Sequence, residues 1–124
     1  MYKVVKFGGS SLASAEQFRK VGDIVRADDA RRFVVPSAPG KRFSGDTKVT
    51  DMLYECYALA KAGKEFATEL RAIQGRYWEI VEGLGVQLDI NKEFEVIKHN
   101  FENKAGSNYA ASRGEYLNGL IMAA

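Results

Sequence analysis

The first 36 residues alternate between two β-rich runs and one helical pattern, and this alternation limits the possible folds most strongly. Residues 2–7 are rich in β-forming side chains and end at a Gly-Gly pair. A Ser-x-x-Gln capping box and apolar residues at helical spacing predict a helix at about 14–27. A second β-rich run, 32–35, stops at a proline. We therefore predict a βαβ unit, with two parallel strands and a right-handed crossover.

The rest of the chain is predominantly helical in pattern. A long polar loop is predicted at 37–48, and apolar residues recur at helical spacing at about 49–60, 66–81, 90–103 and 109–124. A glycine pair, Gly83 and Gly85, is expected to end the second of these helices. Two strands are too few for a complete doubly wound sheet, and the last helical pattern has no stop signal. We therefore expect a truncated α/β chain.

Charge and cysteine content exclude several classes of protein. Lys and Arg number 18 against 16 Asp and Glu, so the net charge of +2 does not favour nucleic acid or a membrane surface as partner. Cys56 is the only cysteine, so an intramolecular disulfide is impossible. His99 has no sequence partner that suggests a metal site or a catalytic triad. No apolar run approaches the roughly 18 residues of a membrane helix, and we expect a cytoplasmic protein.

The first candidate site is the Gly-rich turn after the first predicted strand. It contains Lys6, Gly8, Gly9 and Ser10, just before a predicted helix. Glycines allow close approach of the backbone to a phosphate, and a lysine adds a full positive charge. Neither a P-loop nor a dinucleotide fingerprint is present. The alternative is a tight turn with a solvated lysine.

The second candidate site follows the second strand, from Ser37 to Thr50. Because parallel strands end at the same edge of a sheet, this loop should open beside the first site. Its hydroxyl groups could bind a carboxylate. The alternative is a surface loop in which Thr47 or Thr50 only caps the next helix.

The third candidate site is Ser112-Arg113-Gly114-Glu115. As a functional residue, Glu115 would pair with the ammonium group of a substrate. Because Ser-x-x-Glu is also a capping-box pattern, Glu115 could instead serve only a helix N-terminus.

Four sequence segments together resemble the aspartokinases of the amino-acid kinase family. They are VVKFGGSSLA at 4–13, VVPSAPG at 34–40, KVTDML at 48–53 and SRGEYL at 112–117. Their order matches the family, and the resemblance covers the whole chain. It implies part of a three-layer α/β/α sandwich with a parallel sheet. Residues 1–124 would be the N-terminal part of the catalytic domain, without the regulatory ACT domains.

The resemblance also implies an activity and roles for individual residues. Aspartokinases phosphorylate the side-chain carboxylate of L-aspartate with ATP and Mg²⁺, in the first step of lysine, threonine and methionine biosynthesis. The complete enzyme would be a homo-oligomer, and this piece alone would be inactive. The implied roles are catalysis and ATP phosphate contact for Lys6, ATP binding for Gly8, Gly9, Ser10 and Ser37, and aspartate binding for Thr50 and Glu115.

Three alternatives remain beside this interpretation. The stretch 41–46 is longer than in many members of the family, so Thr47 rivals Thr50 as the substrate threonine. The chain could also belong to a kinase of the same fold that acts on glutamate or an acylated glutamate, or it could be a non-catalytic fragment. An acylated amine carries no positive charge, so Glu115 would have no ammonium partner in the acylated case.

Overall fold

A computed structural model describes all residues, 1–124, and confirms the predicted strand–helix–strand unit. Strand β1 (Lys3–Phe7) and strand β2 (Arg31–Pro36) are parallel. Val5 pairs with Val34 and Lys6 with Val35, with one irregularity between Lys3 and Val4. Helix α1 (Ala15–Arg26) connects the strands. The chain therefore contains an α/β fold built on a small parallel sheet.

Helix α1 begins where the capping pattern predicts, but a short turn precedes it. The Ser14 hydroxyl accepts a hydrogen bond from the Gln17 N–H at 3.4 Å. Residues Gly9–Leu12 form a 3₁₀ turn between β1 and α1. Gly9 and Ser10 of the predicted Gly-rich turn form the start of this 3₁₀ turn, so the Gly-rich turn precedes the helix as predicted.

Four further helices follow the long loop. They are α2 (Val49–Lys61), α3 (Ala67–Leu84), α4 (Ile90–Glu102) and α5 (Ser107–Ala123). All four agree with the predicted apolar stretches. None of the helices has the length and apolar character that a bilayer crossing requires.

The expected end of α3 needs one correction. Gly85 ends the helix in the left-handed conformation (φ 68°), but Gly83 lies inside it. A Cβ atom on Gly83 would lie 2.6 Å from the Cβ of Ala15. Gly83 is therefore a close contact between α3 and the first residue of α1, rather than a helix stop.

The helices share one apolar core on one face of the sheet. Phe7 packs against that core, and its strand neighbour Val5 is half-buried on the same face. Side chains on the other face are exposed, with Val4 at 69%, Phe33 at 56% and Val35 at 46% of their full accessibility. Strand side chains alternate between the two faces of a sheet, so one face is buried by the helices and the other is exposed. The chain therefore contains the sheet and one of the two helical layers of a three-layer sandwich.

Candidate functional site

A cleft of about 540 Å³ opens at the C-terminal edge of the two strands. The turn after β1, the loop after β2, the start of α2 and the middle of α5 form its walls. The lining residues are Gly9, Ser10, Ser37, Ala38, Pro39, Gly40, Lys41, Lys48, Thr50 and Glu115. The fold therefore brings together residues from all three segments that the sequence singles out.

Lys6 and Gly8 lie beside the cleft rather than in its wall. Lys6 is exposed on the sheet face opposite Phe7, and its amine has no hydrogen bond or ion pair. A Cβ on Gly8 would meet no atom within 4 Å. Among the predicted site residues, these two are the ones that do not line the cleft.

The turns after the two strands touch through glycine backbone. The Gly40 N–H donates a hydrogen bond to the Gly9 carbonyl at 2.8 Å. A Cβ on Gly40 would lie 2.7 Å from the Gly9 carbonyl carbon, and a Cβ on Gly9 would lie 3.0 Å from the Ala38 oxygen. Real Cβ atoms do not come as close as the Gly40 value. Gly40 is therefore required for the contact that closes this end of the cleft, and a side chain at Gly9 would fit only if its neighbours shifted.

Ser37 is held at its backbone from two sides. Its N–H donates to the Phe7 carbonyl at 3.1 Å, and its carbonyl accepts from the Asn118 side-chain amide at 2.7 Å. Asn118 lies on α5 and is fully buried. These bonds fix Ser37 where its hydroxyl group can face a ligand in the cleft.

The two threonines that compete in sequence are separated by the fold. Lys48 is the N-cap residue of α2 and makes no side-chain cap, so neither Thr47 nor Thr50 caps this helix. Thr50 lines the cleft, whereas Thr47 lines a different pocket beside Arg42 and Asp46. The capping alternative is therefore wrong for both, and Thr50 is the threonine that faces the cleft.

Glu115 lies well inside α5, which begins at Ser107. The Ser112 hydroxyl donates to the Tyr109 carbonyl at 2.8 Å, as serines within helices often do. The Ser-x-x-Glu pattern is therefore not a capping box here, and the capping alternative for Glu115 is wrong. Its side chain is exposed to the cleft.

A close contact seats α5 against the loop after β2. A Cβ on Gly114 would lie 2.5 Å from the Cβ of Ala38. The Tyr77 hydroxyl, on α3, donates to the Gly114 carbonyl at 2.9 Å. Burial raises the pKa of Tyr77, so the hydroxyl remains protonated and continues to donate. Gly114 and Tyr77 thereby set the position of Glu115, the next residue.

Two lysines that are not among the predicted site residues also line the cleft. Lys41 and Lys48 are exposed and line it at either end of the loop segment 41–48. Glu115 is the only acidic residue in the lining. The cleft is therefore positively charged, as a site for a polyanion requires. The only sequence signal for a role of these lysines was their position near the second motif, because Lys48 is the first residue of KVTDML.

A buried arginine beneath the loop was also missed. Arg76, on α3, is 4% exposed and donates to the Gly40 carbonyl at 2.7 Å and the Thr47 carbonyl at 2.9 Å. Its position three residues after Ile73 and four before Ile80 places it on the apolar face of α3. That placement is the signal that could have identified it, because a charge on an apolar stripe needs partners.

A family model supports the same interpretation as the motifs. The model of the amino acid kinase family matches residues 1–124. Aspartokinase 3 of Bacillus subtilis is 65% identical over 54 residues, which are 44% of this chain and 12% of that protein. The aspartokinase of Chlamydia pneumoniae is 36% identical over 93 residues, which are 73% of this chain and 19% of that protein.

Two solved structures share the fold. Aspartate kinase of Clostridium acetobutylicum superposes with a TM-score of 0.94 at 52% identity, covering 97% of this chain and 28% of that one. Aspartokinase III of E. coli, in complex with aspartate and ADP, gives 0.73 at 30% identity, covering 98% of this chain and 28% of that one. The chain thus spans less than a third of the length of each of these relatives.

Proposed function

Because the chain belongs to the amino acid kinase family, we propose that it forms the N-terminal part of the catalytic domain of an aspartokinase. The complete enzyme transfers the terminal phosphoryl group of ATP to the side-chain carboxylate of L-aspartate and releases ADP and 4-phospho-L-aspartate. The observation that carries this proposal is the convergence of three motif segments on one positively charged cleft. The aspartokinase relatives, one of them with aspartate and ADP bound, support the choice of substrates.

The acceptor determines which chemistry the site has to supply. A free carboxylate has a pKa of about 4 and is already ionised at neutral pH, so no general base is needed. The obstacle is repulsion between the carboxylate and the phosphoryl oxygens. Two unit charges 4 Å apart repel by about 1 kcal/mol in water and by about 4 kcal/mol at an effective dielectric constant of about 20. Catalysis therefore depends on positioning the reactants and neutralising their charge.

The phosphates would lie at the end of the cleft formed by the two glycine turns. The first N–H groups of a helical turn have no partner within it, so Gly9 and Ser10 can offer theirs to phosphate oxygens. The Ser37 hydroxyl and the extended backbone at Gly8 would complete this wall. Lys6 would supply a positive charge that stays close to the phosphoryl group while that group is transferred. Because its amine has no other partner, it can turn toward the phosphates without breaking an ion pair.

Aspartate would lie at the opposite end, between Thr50 and Glu115. Glu115 would pair with the substrate ammonium, and the Thr50 hydroxyl would donate a hydrogen bond to a substrate carboxylate. This arrangement favours an acceptor with a free amine over an acylated glutamate. Discrimination against free glutamate would depend on the length of the side chain that reaches the phosphoryl group.

Mg²⁺ would enter this site with the nucleotide. The chain has no cluster of three or more His, Cys, Asp or Glu side chains suited to hold a metal ion, and Glu115 is the only carboxylate in the cleft lining. Mg²⁺ is commonly held by one or two carboxylates together with substrate phosphates. Because Glu115 is assigned to the substrate ammonium, Mg²⁺ would be held chiefly by the phosphates here and would neutralise their charge. We further propose that the complete enzyme is a cytoplasmic homo-oligomer.

A chimera tests the proposed function. Residues 1–124 would replace the matching region of Clostridium acetobutylicum aspartate kinase, whose fold they share with a TM-score of 0.94. ADP release would be measured with aspartate, glutamate and N-acetylglutamate as acceptors, with the unmodified enzyme as control. We expect turnover with aspartate and little with the other two. Faster turnover with either glutamate compound would contradict the proposal.

The isolated chain provides the second test. Calorimetric titration with ATP should show weak binding or none, and the chain should not turn over aspartate. Turnover by the isolated chain would show that these 124 residues suffice for catalysis. An inactive chimera that folds as well as the parent enzyme would favour the non-catalytic alternative.

A further inference from the structure

One planar guanidinium group holds both ends of the loop that carries the cleft lysines. The two terminal nitrogens of Arg76 donate separately to the carbonyls of Gly40 and Thr47, at 2.7 and 2.9 Å. Burying a cation is costly unless it is hydrogen-bonded, and Arg76 is 4% exposed with partners at both terminal nitrogens but none at Nε. Its bonds to the two carbonyls are therefore a strong restraint on the loop.

The two bound carbonyls stand directly before the two lysines of the cleft. Gly40 precedes Lys41, and Thr47 precedes Lys48. A rigid, forked donor fixes the separation of the two carbonyls it binds, and so the separation of the two peptide groups that lead into the lysines. Arg76 does not line the cleft itself. Any effect on a ligand would therefore pass through the loop.

An acidic residue within the loop completes the arrangement. The Asp46 carboxylate lies 3.7 Å from Arg76 Nη1 and accepts hydrogen bonds from Arg42 Nε at 2.7 Å and Nη2 at 3.1 Å. It also accepts the backbone N–H of Arg42 at 3.0 Å, which closes residues 42–46 into a compact turn. The carboxylate balances the buried charge, so the lysines remain the unpaired cations of this loop.

We propose that Arg76 is a positioning residue of the nucleotide site: it orders the loop so that Lys41 and Lys48 face the phosphates. This inference rests on the proposed function of the cleft. It assigns the polyphosphate of the nucleotide to the two loop lysines, in addition to the turn after β1. Arg76 makes no contact with substrate and acts through the lysines alone.

A double-mutant cycle in the chimera tests this inference. The variants are Arg76→Met, the pair Lys41→Met with Lys48→Met, and all three changes together, and the quantity measured is kcat/KM for ATP. We expect about a tenfold loss for Arg76→Met and about a tenfold loss for the lysine pair. All three changes together should also cost about tenfold, because the arginine has no effect once the lysines are gone.

The value of kcat/KM for ATP also provides the control and the results that would contradict the inference. Arg71→Met removes an exposed arginine from the same helix and should leave kcat/KM unchanged. A loss of about a hundredfold for the combined variant would show independent effects and overturn the inference. An unchanged kcat/KM in Arg76→Met would also overturn it.

Hydrogen exchange on the 124-residue chain separates this inference from the proposed function. The N–H groups of Arg42 and Asp46 are bonded within the loop, to the Asp46 carboxylate and the Phe43 carbonyl. In Arg76→Met they should exchange at least about tenfold faster, while the helix amides are unchanged, and Arg76→Lys should restore part of the protection. Equal acceleration throughout the chain would mean a general loss of stability and overturn the inference. An inactive wild-type chimera would reject the proposed function, and the exchange result would still decide the role of Arg76.

Discussion

Charged residues at and below the cleft differ in how firmly the protein holds them. Lys6, Lys41 and Lys48 are exposed and have no ion pairs, so they can respond to a ligand. Arg76, beneath the loop, donates two hydrogen bonds, and Asp46, within the loop, accepts three from Arg42. Substitution of the first group should alter the chemistry with little change in stability. Substitution of the second should alter stability as well.

Replacement of Lys6 by Met should slow the chemical step in the chimera. If its charge follows the transferred phosphoryl group, kcat should fall about 10²–10³-fold, whereas KM for aspartate should change less than about threefold. Steady-state kinetics with saturating ATP would measure both. Lys20→Met, an exposed change on α1, is the matched control. An unchanged kcat would remove Lys6 from the mechanism.

Replacement of Glu115 by Gln should weaken aspartate binding rather than the chemical step. Loss of the carboxylate removes its charge-assisted contact with the ammonium group, so KM for aspartate should rise about tenfold while kcat stays within a few-fold. The exposed Glu95 on α4 supplies the control, Glu95→Gln. A fall in the melting temperature without a change in KM would instead assign Glu115 a structural role.

The contribution of Asp46 to stability should depend on pH. Hydrogen bonds from Arg42 hold the pKa of this carboxyl well below its usual range in the folded chain. The stabilisation is therefore present above the unfolded pKa of about 3.9 and is lost as the pH falls below it. Asp46→Asn should lower the free energy of unfolding by about 1.5–3 kcal/mol at pH 7.

Urea unfolding at pH 3, 4, 5 and 7 would measure that difference for Asp46→Asn and the wild type. The difference should shrink below about pH 4, because the unfolded wild type then binds a proton at Asp46 that the folded state, with its lowered pKa, does not bind. Asp23→Asn, at a largely exposed ion pair on α1, is the control and should change little at any pH. A constant difference for Asp46→Asn would contradict the assignment.

At the level of elements, the local sequence pattern was sufficient to predict the strands and helices. Capping residues, apolar periodicity and glycines act within one or two turns, so the βαβ unit and the four later helices could be predicted. The Ser112–Glu115 pattern misled because the same residues also occur inside helices. The cleft wall at Lys41 and the partners of Arg76 could not be predicted, since they depend on contacts between segments more than 25 residues apart.

The close contact between α5 and the loop after β2 can be tested by comparing two helix glycines, one at this contact and one in open space. Alanine usually stabilises a helix by about 1 kcal/mol relative to glycine. At Gly75, where a Cβ would meet nothing within 4 Å, Gly75→Ala should stabilise the chain by about 0.5–1 kcal/mol. At Gly114, a Cβ would lie 2.5 Å from Ala38, so Gly114→Ala should destabilise it by about 1–3 kcal/mol.

Thermal unfolding of the two alanine variants would measure these opposite effects. Gly114→Ala should also displace Glu115 and raise KM for aspartate in the chimera, whereas Gly75→Ala should not. Equal effects of the two substitutions on stability would show that α5 tolerates a wider separation from the loop.

At the level of the whole molecule, one side of the sheet is uncovered, and it carries exposed apolar side chains beside Lys6. Val4, Phe33 and Val35 are at least 46% exposed, and two strands leave both outer edges unpaired. Exposed apolar side chains together with unpaired strand edges favour association. The fold therefore predicts that the isolated chain self-associates through the sheet.

Phe33→Lys should reduce that association without loss of structure. The side chain is 56% exposed, so its removal costs little core packing, and a charge opposes stacking of two sheets. Sedimentation velocity at several concentrations would compare the variant with the wild type. Val96→Lys, on the exposed surface of α4, should leave association unchanged. A wild-type chain that stays monomeric at high concentration would contradict the prediction.

The cleft draws its walls from three parts of the chain, so only the completely folded molecule contains it. Unfolding of either end removes Ser10 or Glu115 from the wall. By linkage, a ligand that recognises this cleft adds its binding free energy to global stability, about 2.7 kcal/mol at a free concentration of 100 times Kd. A thermal-shift screen of nucleotides and amino acids on the chimera would therefore report occupancy independently of turnover.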